Sequence, residues 1–122
     1  MSDWNIVALQ HKIFSFIDVA GSNPPPQYKF FISFPFKDNN TLPDLVFANA
    51  CATLGVNLIT ANQRLMVCCV GGINRSVFMC GLIMHQLGVG NGAEIVSQLH
   101  KVQPNCLENS TFRNYLEQLS TK

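Results

Sequence analysis

Charged residues are scarce in this chain of 122 residues. Lys, Arg, Asp and Glu make up 12% of the sequence, and eight basic residues against seven acidic ones leave a net charge of +1. Such a balance provides no broad positive field for a polyanion, so nucleic acid is not an expected partner and any attraction for an anion must be local. Apolar residues, in contrast, make up 48% of the chain. This composition excludes a disordered chain and predicts a single globular domain over residues 1–122.

Long apolar runs and metal-ligand spacing are also missing. No stretch approaches the ~20 apolar residues of a membrane-spanning helix, and the first residues are not a basic segment followed by an apolar run. The cysteines are odd in number and lack the paired spacing of metal ligands. They are Cys51, Cys68, Cys69, Cys80 and Cys106. We therefore expect a protein of the cytoplasm or another reducing compartment, with no metal, no cofactor and no membrane association. The sequence predicts no oligomeric state.

One short stretch combines a cysteine, two glycines and an arginine between two apolar runs. Residues 64–68 are typical of a buried strand and residues 77–84 of a buried helix, so the stretch between them is a strand-to-helix loop. The first N–H groups of a helix lack intrahelical partners, and the helix dipole adds positive potential, so such a loop suits a phosphate. The residues that we expect to surround the phosphate are Val70, Gly71, Gly72, Ile73, Asn74 and Arg75.

Cys69 and Arg75 stand at the two ends of this loop. The loop N–H groups and the charge of Arg75 favour the thiolate of Cys69, which is the nucleophilic form of a cysteine. The planar guanidinium of Arg75 can hold two phosphate oxygens at once. Ser76 follows directly, and its hydroxyl can donate to the sulfur when Cys69 becomes the leaving group.

The pattern Cys69-x5-Arg75-Ser76, with Gly72 three positions after the cysteine, resembles the signature loop of the cysteine-dependent protein tyrosine phosphatases. The small dual-specificity branch is the best match, over about residues 29–119. The resemblance implies an α/β, single-domain fold with a short central, mainly parallel sheet flanked by helices and trimmed at the N-terminus. It also implies a general acid upstream, and Asp38 stands 31 positions before Cys69.

Asp44 is the other candidate for the acid. It stands only 25 positions before Cys69 and fits better as a charge at a helix start. We therefore prefer Asp38.

Periodicity and turn signals predict the elements that carry these residues. Residues 6–9 could open a helix. The predicted strands cover residues 12–19, 28–36 and 65–69, the last of them central in the sheet. The predicted helices cover residues 41–55, 75–87, 91–103 and 109–119, the first of them capped by Thr41.

The resemblance implies a two-step hydrolysis of phosphomonoesters. The thiolate of Cys69 attacks phosphorus while Asp38 protonates the leaving oxygen, and Asp38 then acts as a base for the water that hydrolyses the cysteinyl-phosphate. Arg75 and the loop N–H groups stabilise the phosphoryl oxygens. No insert resembles the deep phosphotyrosine-recognition loop of the larger enzymes. The expected substrates are therefore proteins that carry phosphotyrosine, phosphoserine or phosphothreonine.

Two other functions fit parts of the pattern. Residues 72–75 are similar to the loop of the RNA 5′-triphosphatase branch, although Ser76 and Val77 stand where that branch usually has threonine and glycine. Cys68 stands where the phosphatase family usually has histidine, and this departure alone favours a non-catalytic phosphoprotein-binding protein. The presence of Cys69, Arg75 and a candidate acid argues against that function. Because side chains alternate along a strand, we expect Cys68 and Cys69 to point to opposite faces of the sheet.

Overall fold

The described chain has both strands and helices, in the order one helix, two strands, one helix, one strand and three helices. The computed structural model describes residues 3–70 and 72–121, with side chains from residue 6 onward. The elements are α1 (Asp3–Gln10), β1 (Ser15–Asp18), β2 (Phe30–Ser33), α2 (Leu45–Thr60), β3 (Leu65–Cys68), α3 (Arg75–Gln86), α4 (Gly92–Val102) and α5 (Ser110–Glu117). None of the described helices is both long and apolar enough to cross a bilayer.

Three parallel strands form the sheet in the order β2-β1-β3. Asp18 at the end of β1 lies opposite Ser33 on one side and Cys68 on the other. Since parallel strands end at the same edge of a sheet, the loops that follow β2 and β3 start at the same edge, on the two sides of the end of β1. This arrangement brings the segment of Asp38 next to the segment of Cys69.

The prediction that β3 is the central strand is wrong, because β1 lies between β2 and β3 in the described sheet. All four residues of β1 are buried, whereas three of the four residues of β3 are only half-buried. Both strands are apolar in sequence, and an apolar run does not by itself distinguish a central strand from an edge strand.

Helices cover the two faces of the sheet unequally. Ile17 lies in a large apolar cluster with residues of α2, α3 and α5, whereas Phe16 and Cys68 lie in a small cluster with Ala8 of α1. In the large cluster the ring of Phe78 on α3 lies 4.9 Å from that of Phe112 on α5. The start of α5 is thereby fixed against the helix that follows the cysteine loop.

Helix α2 begins and ends later than the sequence pattern predicts. Its N-cap is Asp44 and not Thr41, since a carboxylate oxygen of Asp44 accepts hydrogen bonds from the N–H groups of Val46 and Phe47. The helix also continues past Gly55 to Thr60, because Gly55 is buried in its contact with α3. The interpretation of Asp44 as a charge at a helix start is confirmed.

Helix α1 includes residues 6–9, where the sequence allows a helix, and the other strands and helices apart from α2 are one to three residues shorter than predicted at one or both ends. The backbone after β2 nevertheless keeps contact with β1, because Phe34 N–H donates to Asp18 O at 2.8 Å and Phe36 N–H donates to Val19 O at 3.2 Å. The chain is therefore held against the sheet until two residues before Asp38.

Candidate active site

The loop between β3 and α3 contains the residues that the sequence singles out for phosphate binding. Gly71 lies outside the described residues. Gly72 has a φ of +62°, and a Cβ at this position would meet no atom within 4 Å. Glycine is therefore favoured here by the left-handed backbone and not by lack of space.

Cys69 is buried at the base of this loop, and Ser76 lies against its sulfur. The Ser76 hydroxyl is 3.2 Å from Cys69 Sγ, and the Ser76 backbone N–H donates to the same sulfur at 3.4 Å. In the thiol form Sγ donates to the hydroxyl oxygen. Once the sulfur is ionised, the hydroxyl can turn its own proton toward it, so that two donors of one residue face a thiolate.

Cys68 lies on the other face of the sheet, as the strand alternation predicts. It is buried with Ala8 and Phe16, while Cys69 belongs to the large cluster. Its thiol donates to the carbonyl oxygen of Ile17 at 3.5 Å. Burial, with smaller contributions from Asp18 and Cys69, raises the pKa of Cys68 to about 12. Cys68 is therefore a neutral thiol at pH 7.

Arg75 is the first residue of α3 and joins the loop to the segment that follows β2. Its Nη1 donates to the carbonyl oxygen of Phe36 at 3.3 Å, and the side chain is half-buried. This bond uses one of the five N–H donors of the guanidinium. The remaining donors suffice for two phosphate oxygens.

Asp38 is exposed and lies beside the loop, where it accepts a hydrogen bond from Asn74. Asn74 Nδ2 donates to Asp38 Oδ2 at 2.9 Å, although the two residues are 36 positions apart. The structure thus brings together two residues that the sequence places in separate elements. Asp44, in contrast, uses its carboxylate to cap α2.

Asn109 is the residue of this site that sequence reasoning missed. Its Nδ2 donates to Asp38 Oδ1 at 2.9 Å and to the carbonyl oxygen of Asn39 at 2.7 Å. Its backbone N–H donates to Asn74 Oδ1 at 2.9 Å. An asparagine at the start of a predicted helix indicates an N-cap, and Asn109 is the N-cap of α5. No local pattern indicates a bond to a residue 71 positions away.

Two residues that follow α4 hold the cysteine loop from outside. Gln103 Nε2 donates to Gly72 O at 3.2 Å, and Leu107 N–H donates to Ile73 O at 2.9 Å. The carbonyl oxygens of Gly72 and Ile73 are thus engaged away from the place where an anion would bind. Leu107 is fully buried with a φ of +56°, a conformation that is uncommon for a residue with a side chain.

Metal ligands are not clustered among the described residues of the site. Within residues 3–70 and 72–121, no group of three or more His, Cys, Asp or Glu side chains could hold a metal ion. The chemistry available at the site is that of a thiol, a guanidinium, a carboxylate and backbone N–H groups.

No family model matches the sequence, and no curated protein matches it. Solved structures do match, and they show that the fold is that of the small dual-specificity phosphatases, which confirms the fold that the resemblance implies.

Human DUSP28 superposes with a TM-score of 0.78 at 15% identity, and the match covers 93% of this chain and 83% of that one. DUSP15 gives a TM-score of 0.79 at 18% identity, with coverages of 91% and 72%. The human tyrosine phosphatase-like serine/threonine/tyrosine-interacting protein gives 0.76 at 13% identity, with coverages of 93% and 80%. At these identities the likeness concerns the fold.

Proposed function

We propose that the protein is a phosphatase that removes phosphate from phosphotyrosine, phosphoserine and phosphothreonine of proteins through a cysteinyl-phosphate intermediate. The observation that carries the proposal is the position of Cys69. Its sulfur lies at the base of a strand-to-helix loop, within 3.4 Å of the Ser76 N–H, and Arg75 and Asp38 are attached to the same loop. A fold shared with dual-specificity phosphatases supports the same conclusion.

In the first step the Cys69 thiolate forms a bond to phosphorus as the bond from phosphorus to the ester oxygen breaks. Asp38 gives its proton to that oxygen, which leaves as an alcohol or phenol. Arg75 and the loop N–H groups hold the other three phosphoryl oxygens during the transfer.

In the second step Asp38, now a carboxylate, takes a proton from a water that attacks phosphorus. The bond from sulfur to phosphorus breaks, inorganic phosphate forms, and Cys69 leaves as a thiolate. Ser76 supports this step, because its hydroxyl and N–H can both donate to the departing sulfur.

An open site supports the dual specificity. Val70, which directly follows the nucleophile, is 77% exposed, and Asp38 is also exposed. A substrate does not need the long reach of phosphotyrosine to bring its phosphate to such a site. Short phosphoserine and phosphothreonine side chains can therefore enter as well.

We also propose that the protein works in a reducing compartment such as the cytoplasm, where thiols persist. All five cysteines are free in the structure.

The test is a phosphatase assay on three substrates: a phosphotyrosine peptide, a phosphothreonine peptide and 5′-triphosphorylated RNA. We expect turnover of both peptides, and Cys69→Ser should abolish it while retaining binding of a phosphate analogue, because Arg75 and the loop N–H groups remain. RNA as the preferred substrate would point to the triphosphatase branch. Peptide binding without turnover by the unmodified protein would point to a phosphoprotein-binding role.

A further inference from the structure

Three polar residues from three different segments form a closed ring of hydrogen bonds at the site. Asn74 donates to one oxygen of Asp38 and Asn109 to the other, each at 2.9 Å, and the Asn109 backbone N–H donates to Asn74 Oδ1 at 2.9 Å. Both oxygens of the acid therefore have a fixed donor. One donor belongs to the cysteine loop and the other to the start of α5.

The segment that carries Asp38 has no regular structure of its own to orient this side chain. Residues 37–41 are all exposed and lie outside any helix or strand. The contacts with α5 compensate for this, because Asn109 Nδ2 also donates to Asn39 O at 2.7 Å and Thr111 Oγ1 donates to Asn40 O at 3.4 Å. The start of α5 thus holds both the backbone and the carboxylate of the acid segment.

Asn109 is itself held rigidly. Its Oδ1 accepts the N–H of Phe112 at 3.1 Å as the N-cap of α5, which fixes the plane of the amide and points Nδ2 toward Asp38. Phe112 is fully buried against Phe78 of α3, the helix that follows the cysteine loop. The amide is therefore a preorganised donor at the start of α5, which packs against the helix that follows the phosphate-binding loop.

We propose that Asn109 is a positioning residue that orients the Asp38 carboxyl for proton transfer to the leaving group. The inference rests on the proposed function, in which Asp38 is the general acid. Proton transfer requires the carboxyl to lie within hydrogen-bonding distance of the leaving oxygen, and a small displacement can lower the rate by up to ~10²-fold. Asn109 limits that displacement without touching the substrate.

The first test is Asn109→Ser. Serine is as good an N-cap as asparagine, so α5 keeps its start while the amide donor to Asp38 is lost. We expect kcat/KM for an aryl phosphate whose phenol has a pKa of about 10 to fall ~10-fold or more. Hydrolysis of an aryl phosphate with a strongly acidic phenol should change less than about twofold, since such a leaving group needs little protonation.

The matched control is Asn91→Ser. Asn91 is the N-cap of α4 and accepts the Glu94 N–H at 2.9 Å, so the control makes the same substitution in the same structural role without a bond to Asp38. It should leave the ratio of the two kcat/KM values unchanged. If Asn109→Ser lowers kcat/KM equally for both substrates, or for neither of them, Asn109 does not position the acid.

A second variant, Asn109→Asp, keeps the size and the cap but places a carboxylate beside Asp38. A like charge opposes ionisation of the acid, so the basic limb of the pH–rate profile should move to higher pH. An unchanged basic limb in a folded Asn109→Asp variant would overturn the proposal even if Asn109→Ser did not fold.

Asp38→Asn separates failure of this inference from failure of the proposed function. If Asp38→Asn loses activity while both Asn109 variants keep the wild-type pH–rate profile and the wild-type ratio of kcat/KM values, only the positioning role of Asn109 is contradicted. An active Asp38→Asn variant would contradict the assignment of Asp38 as the general acid, and the positioning role of Asn109 would then have no basis.

Discussion

At the scale of single residues, the guanidinium of Arg75 has two roles, and the compact ammonium of a lysine could not fill both. It donates to Phe36 O at 3.3 Å and is proposed to hold two phosphate oxygens. We expect Arg75→Lys to lower kcat/KM by ~10²–10³-fold, the range measured when a single donor to a transition-state oxygen is removed. Steady-state kinetics on a phosphotyrosine peptide would measure this loss. Activity within a factor of three of the wild type would contradict the bidentate role.

The residues of the loop could be predicted from the sequence alone, whereas Asp38 is selected through the resemblance to the phosphatase family. Cysteine, glycine, arginine and serine stand close together in the chain, and the strand and helix that flank them have clear periodicity. Asn109 could not be predicted in the same way. Its cap is a local property, but its bond to Asp38 depends on how α5 packs on α3, and that packing follows from tertiary contacts such as Phe78 with Phe112.

At the scale of helices and strands, Asp38 and Asp44 are two nearby acidic residues with separable roles. Asp44→Ala removes the N-cap of α2 and should lower the free energy of unfolding by about 1 kcal/mol while leaving kcat/KM unchanged. Asp38→Asn should do the opposite, lowering kcat/KM for a phosphopeptide ~10²–10⁴-fold with little change in stability. Urea unfolding and peptide kinetics on both variants would measure the two effects. If Asp44→Ala lost activity in the folded state, Asp44 would belong to the site.

The bounds of α2 and the order of the strands show where the sequence pattern was insufficient. Thr41, Pro43 and Asp44 each have a property that suits a helix start, and the extended backbone of Asp44 decides which one is the cap. Likewise β3 has the apolar sequence of a central strand but lies at the edge of the described sheet. In both cases the local sequence is compatible with more than one structure, and packing between distant parts of the chain determines which one forms.

At the scale of the whole molecule, buried thiols predict how stability depends on pH. Burial raises the pKa of Cys51 to about 11 and is the main cause of the value of about 12 for Cys68, against an ordinary value of 9.0. Well below pH 9 these thiols are protonated in both the folded and the unfolded chain. Above pH 9 the unfolded chain loses its thiol protons first, so the free energy of unfolding should fall by up to about 1.4 kcal/mol per pH unit for each thiol.

Urea unfolding between pH 8 and pH 11 would measure this slope. Cys51→Ala removes one of the thiols with a raised pKa, which also include Cys80 at about 11, and should make the slope shallower, although its stability at pH 8 will also be lower because of the cavity. An identical slope in the variant and the wild type would show that other groups cause the loss of stability.

The pairing of β1 with β3 has a consequence for the order of folding. Ser15 pairs with Leu65, which is distant in sequence, and the hydrogen bond between Asp38 and Asn109 joins residues that are 71 positions apart. Contacts so distant in sequence form slowly, because loop closure costs entropy before the contact stabilises anything. The cysteine loop is itself held by Gln103 and Leu107, which come just before Asn109 in the chain, so the loop and Asp38 should reach their final positions together and late in folding. Catalytic competence would be among the last properties that the molecule acquires.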